Sequence, residues 1–198
     1  NGTNEKVKLQ ITCPDQSCYT YLISDRGAYD TFPLTAGNGS YALQVLENVA
    51  GDTYTVSLAQ SINVNIEDEF LPFLYPNQYV NFHTDSKAVS KGSDLAKDTY
   101  SDLDVVQNIY NYVIKNISYD TEKAQNVSYG YVPDIDDTLS SKKGICFDYA
   151  ALMASMLRSQ NIPTKLEVGY SGDAYHAWIS TYIDDKGWVD DIIQFNGN

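Results

Sequence analysis

The stretch KGICFDYAALMASMLRSQNIP, Lys143 to Pro163, places one cysteine where a glycine gives way to a run of helix-forming residues. After Gly144 the side chains are apolar almost all round a helix, and Asn161 and Pro163 are typical of a helix end. A helix that is apolar on all sides is buried. The stretch therefore predicts a central helix around which the rest of the fold packs.

Cys146 falls in the first turn of this helix. Amide groups without a helical partner and the positive end of the helix dipole stabilise an anion at that position, so a thiolate is favoured there. The thiolate is the nucleophilic form of cysteine. The alternative is a small, unreactive residue that happens to begin a core helix, because free cysteine is among the most buried residue types.

A histidine further along the chain could act on this sulfur. The segment YHAWISTYI, 175–183, alternates with period two, which predicts a strand with His176 and Trp178 on one face and Ala177 and Ile179 on the other. KLEVGY, 165–170, predicts a neighbouring strand. Packing of the central helix against this antiparallel meander could aim the imidazole at the helix start, as a cysteine–histidine nucleophile requires. The alternative is a packed, hydrogen-bonded core histidine.

Composition limits the partners of the protein. Its 198 residues are 43% apolar, enough for one compact domain or two small ones. The 26 acidic and 13 basic side chains give a net charge of −13, which repels phosphate backbones and anionic lipid, so nucleic acid is not expected as a partner. No apolar run approaches the ~20 residues of a membrane span, and the opening NGTNEKVKLQ lacks the form of a signal peptide. Oligomeric state is left open.

The first third of the chain reads as strands. KVKLQI, YALQV, TYTVSL and SINVNI each alternate with period two, and glycine-bearing turns separate the earlier runs. The pattern predicts an α+β chain with a small antiparallel β module over residues 1–68 and a core over 69–198. Within the core, Ser101 is expected to cap a helix that ends near Asn116, and residues 118–143 read as turns.

Cys13 and Cys18 flank a turn. They either meet as a disulfide, which would favour an oxidising compartment, or remain two unpaired residues.

Metal sites are poorly supported. No CxxC occurs, and the two histidines show no zinc-ligand spacing. The acidic run Asp134, Asp136 and Asp137 lacks the calcium-loop pattern and is expected to be a solvated turn. No metal or cofactor is expected.

Several motifs recur together over about a quarter of the chain, from Leu139 to Trp188. They are Gly-x-Cys-x-Asp-Tyr-Ala from Gly144, Leu-Arg from Leu157, Ile-Pro from Ile162, Gly-Tyr from Gly169 and His-Ala-Trp from His176. In this order they closely resemble the bacterial transglutaminase-like superfamily, cysteine hydrolases and acyltransferases that share a papain-like core. The resemblance implies a central helix packed on an antiparallel sheet, with Cys146 as the nucleophile and His176 as the general base.

The resemblance also implies a third catalytic residue, an aspartate that orients the imidazole and usually precedes a proline on the next strand. No Asp-Pro follows Trp188, and Asp190 and Asp191 come too early. The acid is therefore expected beyond Asn198, in which case this core lacks its C-terminal end and could be nearly inactive. Asp148 is expected to complement the helix dipole.

The chemistry that the resemblance implies is acyl transfer on protein or peptide amides through a thioester. Water as the acceptor makes the protein a peptidase or amidase, whereas a lysine amine makes it a protein-crosslinking transglutaminase, and the sequence leaves this open. The alternative is a non-catalytic cell-surface module. Its β-rich first third would serve as a binding module or a spacer, and its core would be an enzyme that has lost its activity. The acidity, the possible Cys13–Cys18 bridge and the β module favour an extracellular or cell-surface location.

Overall fold

The structure is a computed structural model, and it describes residues 6–23, 29–172 and 174–190. The chain forms two compact units, Asn1–Pro72 and Phe73–Asn198, whereas the sequence analysis placed the boundary after residue 68. No helix among the described residues is long and apolar enough to cross a membrane.

The first unit contains an antiparallel sheet of four strands in the spatial order β2-β1-β3-β4. The strands are β1 (Val7–Thr12), β2 (Cys18–Ile23), β3 (Gly39–Ala50) and β4 (Thr53–Val64). The expectation that SINVNI forms a separate strand is wrong, because pairing with β3 continues without a break from Leu58 to Ser61. A register shift between Val45 and Leu46 absorbs one extra residue of β4 as a bulge.

Cys13 and Cys18 lie at the two ends of the turn that joins β1 to β2, and both thiols are free. Backbone hydrogen bonds close the turn, from Cys13 N–H to Ser17 O at 2.8 Å and from Gln16 N–H to Cys13 O at 3.0 Å. Cys13 is buried, which raises the pKa of its thiol, and Cys18 is exposed. Of the two alternatives that the sequence left open, the structure has the unpaired cysteines.

In the described part of the second unit, one buried helix is accompanied by four further α-helices and two small sheets. The helices are α1 (Lys87–Ala96), α2 (Asp102–Asn116), α3 (Thr121–Asn126), α4 (Ile135–Ser141) and α5 (Cys146–Arg158). The strands are β5 (Ser118–Tyr119), β6 (Lys143–Gly144), β7 (Thr164–Ser171), β8 (Ala174–Ile183) and β9 (Gly187–Val189). β5 and β6 pair in parallel, and β7, β8 and β9 form an antiparallel sheet, so the α+β prediction is confirmed.

The α5 helix is the predicted central helix. Eleven of its thirteen residues are buried, and eight of these belong to one apolar cluster with side chains from α1, α2 and β8. At its C-terminal end Arg158 is also buried and donates from Nε to Thr164 O at 2.9 Å and from Nη1 to Tyr75 O at 2.7 Å. Burial lowers the pKa of this guanidinium to about 9. Burying a guanidinium without hydrogen-bond partners would destabilise the fold, and the two carbonyl acceptors offset that cost.

Hydroxyl and carboxylate side chains cap the N-termini of the helices around α5. Ser101 caps α2 as predicted, accepting from Asp104 N–H at 3.2 Å. The expectation of turns over 118–143 is wrong in part, because Asp120 and Asp134 accept backbone N–H bonds that start α3 and α4. The acidic run is thus a helix start, and Asp136 also accepts from the first two amides of α1. Within the described part of the chain, no three His, Cys, Asp or Glu side chains are placed to hold a metal ion.

Candidate active site

Cys146 is the first residue of α5, and its free thiol is only partly buried. The two residues of β6 lead into it and pair in parallel with β5, with Tyr119 opposite Gly144. Burial raises the pKa of the Tyr119 phenol, and the electrostatic influence of Cys146 adds to the rise. The nucleophile candidate therefore lies where a strand becomes a helix, at the boundary of the core.

The carboxylate of Asp148, two residues into the same helix, is fully buried. Its Oδ2 accepts from Ile145 N–H at 2.8 Å, which satisfies the amide just before the helix and is consistent with the expected dipole role. The same oxygen accepts from Lys123 Nζ at 2.8 Å, and Oδ1 accepts from the Tyr131 hydroxyl. A Cβ added to Gly144 would lie 2.7 Å from the Asp148 Cβ, so only glycine allows this close approach.

Lys123 and Tyr131 also bind each other. Lys123 Nζ donates to the Tyr131 hydroxyl at 2.6 Å and lies 4.4 Å from the centre of its ring. Burial alone would lower the pKa of Lys123, but the hydrogen bonds to Asp148 and Tyr131 and the charge of Asp148 raise it overall. Burial and the bond to Asp148 raise the pKa of Tyr131 to about 12, so it stays a donor at neutral pH. We call Lys123, Tyr131 and Asp148 the Asp148 network.

Backbone hydrogen bonds place Lys123 beside the start of α5. Asp120 N–H donates to Gly144 O at 2.9 Å, and the Asp120 carboxylate accepts from Lys123 N–H at 2.9 Å. The buried Tyr149 hydroxyl donates to Ile117 O at 2.6 Å, which ties α5 to the end of α2. The segment that carries the lysine is therefore joined to the segment that carries the cysteine at several points.

Aromatic rings lie next to the nucleophile candidate. The Phe147 ring packs edge to face against Tyr79, with ring centres 5.3 Å apart, and against Tyr131 at 6.4 Å. Such pairs stabilise beyond the apolar area that they bury. Phe147 thus fixes the first turn of α5 on the side chains of two other segments.

His176 lies on β8 opposite Gly169 of β7, and its side chain is partly buried. Ala177 and Ile179 belong to the buried cluster of α5, so His176 and Trp178, which alternate with them, leave the strand on its other face. The alternation that the sequence predicted is confirmed by the extent of β8. The α5 helix packs against β8, so the two elements that carry Cys146 and His176 are in contact. Because the face of β8 that packs on α5 is that of Ala177 and Ile179, the pairing of the Cys146 and His176 side chains stays a prediction.

The Trp178 ring covers Gly169. A Cβ at residue 169 would lie 2.8 Å from Cη2 of the indole, so the ring rests directly on the backbone of β7. On the same face, Ser180 donates to Glu167 of the neighbouring strand. The strand face that carries His176 is therefore built by cross-strand pairs.

Three residues around the start of α5 were not predicted from the sequence, namely Lys123, Tyr131 and Tyr119. The signal for a partner was Asp148, because a carboxylate inside an apolar run needs a buried partner. Asp190 is exposed just after β9, and Asp191 lies outside the described residues.

A buried helix that begins at a cysteine and packs on an antiparallel sheet is the core that the sequence motifs predicted. Residues 89–190, just over half of the chain, match the model of a family described as the transglutaminase-like superfamily. The chain belongs to the transglutaminase-like superfamily.

Two curated proteins are similar over about half of the chain. A UPF0252 protein of Methanocaldococcus jannaschii is 32% identical over 98 residues, which cover 43% of this chain and 28% of that protein. Kyphoscoliosis peptidase of Mus musculus is 30% identical over 107 residues, which cover 48% of this chain and 16% of the peptidase. The chain thus spans less than a third of either relative.

Two solved structures share the fold. The periplasmic domain of TgpA from Pseudomonas aeruginosa has a TM-score of 0.51 at 14% identity, covering 96% of this chain and 87% of that one. A candidate cysteine protease from Cytophaga hutchinsonii has a TM-score of 0.50 at 14% identity, covering 91% and 69%. These likenesses establish the fold and agree with the family.

Proposed function

We propose that the protein is a cysteine-dependent hydrolase or acyltransferase that acts on protein or peptide amides, with Cys146 as nucleophile and His176 as general base. The observation that carries the proposal is the position of Cys146, a free, partly exposed thiol at the first residue of a helix that is buried from Asp148 to Arg158. The amides of a first helical turn have no partner within the helix, and they favour a negative charge there.

The proposed reaction has two steps. The Cys146 thiolate attacks the carbonyl carbon of an amide, the C–N bond breaks, and the leaving amine takes a proton from the His176 imidazolium. The product is a thioester on Cys146. Water or an amine then attacks the thioester, loses a proton to the imidazole and releases the thiolate, which completes the cycle.

The developing oxyanion needs hydrogen-bond donors that are already in place. The backbone N–H of Cys146 is one candidate, because it belongs to the first turn of α5. The Asp148 carboxylate binds the preceding N–H, of Ile145, at 2.8 Å and holds this turn in a fixed conformation. The site is therefore suited to acyl chemistry, in which negative charge moves from sulfur to oxygen.

Hydrolysis is the first outcome to test. One similar protein is called a peptidase and one solved neighbour a candidate cysteine protease, and both names favour water as the acceptor. The TgpA neighbour is a periplasmic domain, and together with the net charge of −13 it supports a location outside the cytoplasm. Fractionation of the source cells tests the location, and recovery from the cytoplasm alone contradicts it.

Alkylation by iodoacetamide tests the catalytic pair. Trypsin cuts after Lys143 and Arg158 and releases a peptide in which Cys146 is the one cysteine, so mass spectrometry follows this thiol separately from Cys13 and Cys18. We expect rapid alkylation of Cys146 at pH 6 to 7 in the wild type and much slower alkylation in His176→Ala, because the imidazolium stabilises the thiolate. Equal rates in the two proteins would contradict the pair and favour a non-catalytic module.

Casein then identifies the acceptor. Release of peptides indicates hydrolysis, and incorporation of a fluorescent amine indicates transfer. Cys146→Ser is expected to abolish either activity, whereas Cys18→Ser, at an exposed thiol in the first unit, is expected to retain it. Activity that survives Cys146→Ser would exclude this residue as the nucleophile.

A further inference from the structure

We infer that Lys123 is a positioning residue for Cys146: it neutralises the buried Asp148 carboxylate, so that a second negative charge can form on the sulfur in the same helical turn. The inference rests on the proposed function, in which Cys146 reacts as a thiolate. It assigns a role to a residue of α3 that lies outside the sequence motifs of the family.

The geometry supports a dedicated ion pair. Lys123 Nζ lies 2.8 Å from Asp148 Oδ2, and the Asp148 side chain is 0% exposed, whereas 28% of the lysine side chain remains exposed. An ion pair with one fully buried member is screened little by solvent. The charge that Lys123 cancels is thus one that water does not reach.

A carboxylate near a thiol opposes ionisation of the thiol, because two negative charges are brought close together. Asp148 and Cys146 share the first turn of α5, where the carboxylate is needed to bind Ile145 N–H. The helix start therefore needs an acceptor at Asp148, and this acceptor brings a negative charge into the turn that carries Cys146. Lys123 and the Tyr131 hydroxyl both donate to this carboxylate, which spreads and balances that charge.

Other titratable groups surround the turn. Tyr119 approaches from β5, and His176 lies on β8, which packs on α5. The predicted effect of Lys123 is separable from both, because it acts through Asp148. Removing the lysine and the carboxylate together should restore what removing the lysine alone destroys.

The test compares Lys123→Met, Asp148→Asn and the double variant with the wild type. The readout is the rate of Cys146 alkylation by iodoacetamide at pH 7, measured on the Gly144–Arg158 peptide and corrected for the folded fraction by circular dichroism. We expect Lys123→Met to be slower by about fivefold or more, since an unbalanced carboxylate opposes the thiolate. The double variant should return to within about twofold of the wild type, and Asp148→Asn should be no slower than the wild type.

A purely structural network predicts a different order. If the network only held the helix start, Asp148→Asn and the double variant would be slowed as much as Lys123→Met, and that order would overturn the inference. Lys123→Arg keeps the charge and is expected to keep the rate within about threefold. Should Lys123→Met fail to fold, a rate for Asp148→Asn well below that of the wild type would still overturn the inference.

The same rates distinguish failure of the proposed catalytic pair from failure of the Lys123 inference. A wild-type rate that does not depend on His176 would remove the catalytic pair. The order of the Lys123 and Asp148 variants would still show whether the ion pair affects the thiol. A normal His176 dependence with no recovery in the double variant would instead remove the inference and leave the catalytic pair in place.

Discussion

In β4 of the first unit, Val56 and Leu58 are 50% and 58% exposed, whereas in α5 of the second unit every residue from Tyr149 to Leu157 is buried. The two elements have similar numbers of residues, 12 in β4 and 13 in α5, but they are stabilised by different contacts. β4 depends on backbone pairing with β3 over its whole length. α5 depends on apolar contacts on all sides, and its ends are held by the buried polar side chains of Asp148 and Arg158.

The difference explains where chemistry can be placed. A reactive group needs a rigid support, and Cys146 packs against the buried apolar cluster of the second unit. In the first unit, the apolar residues described as buried are Ile11, Cys13, Tyr21 and Tyr41. Among the described residues, the first unit therefore offers less buried apolar packing to hold a catalytic group in place.

The largest contrast is expected from truncating one leucine in each element. Leu152→Ala removes a side chain that is 0% exposed from the centre of α5, and we expect a loss of about 2–5 kcal/mol in the free energy of unfolding. Urea unfolding followed by tryptophan fluorescence measures this, because both tryptophans, Trp178 and Trp188, belong to the second unit.

The matched change in the first unit is Leu58→Ala, which is expected to cost less than about 1 kcal/mol because the side chain is 58% exposed. Circular dichroism follows unfolding of this variant, since the fluorophores lie elsewhere. A loss from Leu58→Ala as large as that from Leu152→Ala would show that β4 is covered in solution.

A smaller loss of stability, similar in the two units, is expected when one tyrosine hydroxyl is removed from each unit. Tyr149 donates to Ile117 O at 2.6 Å in the second unit, and Tyr41 donates to Gly37 O at 2.7 Å in the first. Tyr149→Phe and Tyr41→Phe should each cost about 1 to 3 kcal/mol, because each leaves a carbonyl without this donor. Tyr41→Phe also leaves Ala36 N–H without the hydroxyl that accepts from it at 3.1 Å. Hydrogen exchange at the neighbouring amides would locate the loss, and a clear inequality would mean that core density also sets the strength of these bonds.

Alkaline pH is expected to weaken the second unit gradually. Burial raises the pKa of Tyr149 to about 12, and burial with the Asp148 bond does the same for Tyr131, whereas tyrosine in an unfolded chain ionises near 10. Between about pH 10 and 12 the unfolded chain loses protons that the folded unit keeps, so stability that is present below pH 10 falls as pH rises. The fluorescence-monitored free energy of unfolding should fall less steeply over this range in Tyr149→Phe, and an unchanged slope would contradict the prediction.

Long, periodic elements could be predicted from the sequence because their own residues determine them. The buried α5, the Ser101 cap of α2 and the alternating β8 were all predictable in this way. The short α3 and α4 were not, since each begins at an aspartate and lacks enough apolar residues to show a period. The bond between Lys123 and Asp148 joins residues 25 apart, and tertiary contacts such as the pairing of β5 with β6 bring their segments together.

The contact between Trp178 and Gly169 gives the protein a natural optical label. An indole that rests on a peptide backbone emits at a wavelength set by its shielding from water, and it lies two residues from the histidine of the proposed pair. If substrate peptides of the proposed enzyme dock along this strand face, they will change that shielding, and their binding can be followed without an added dye. Gly169→Ala, which lifts the ring by steric conflict, would identify the signal of this indole against that of Trp188.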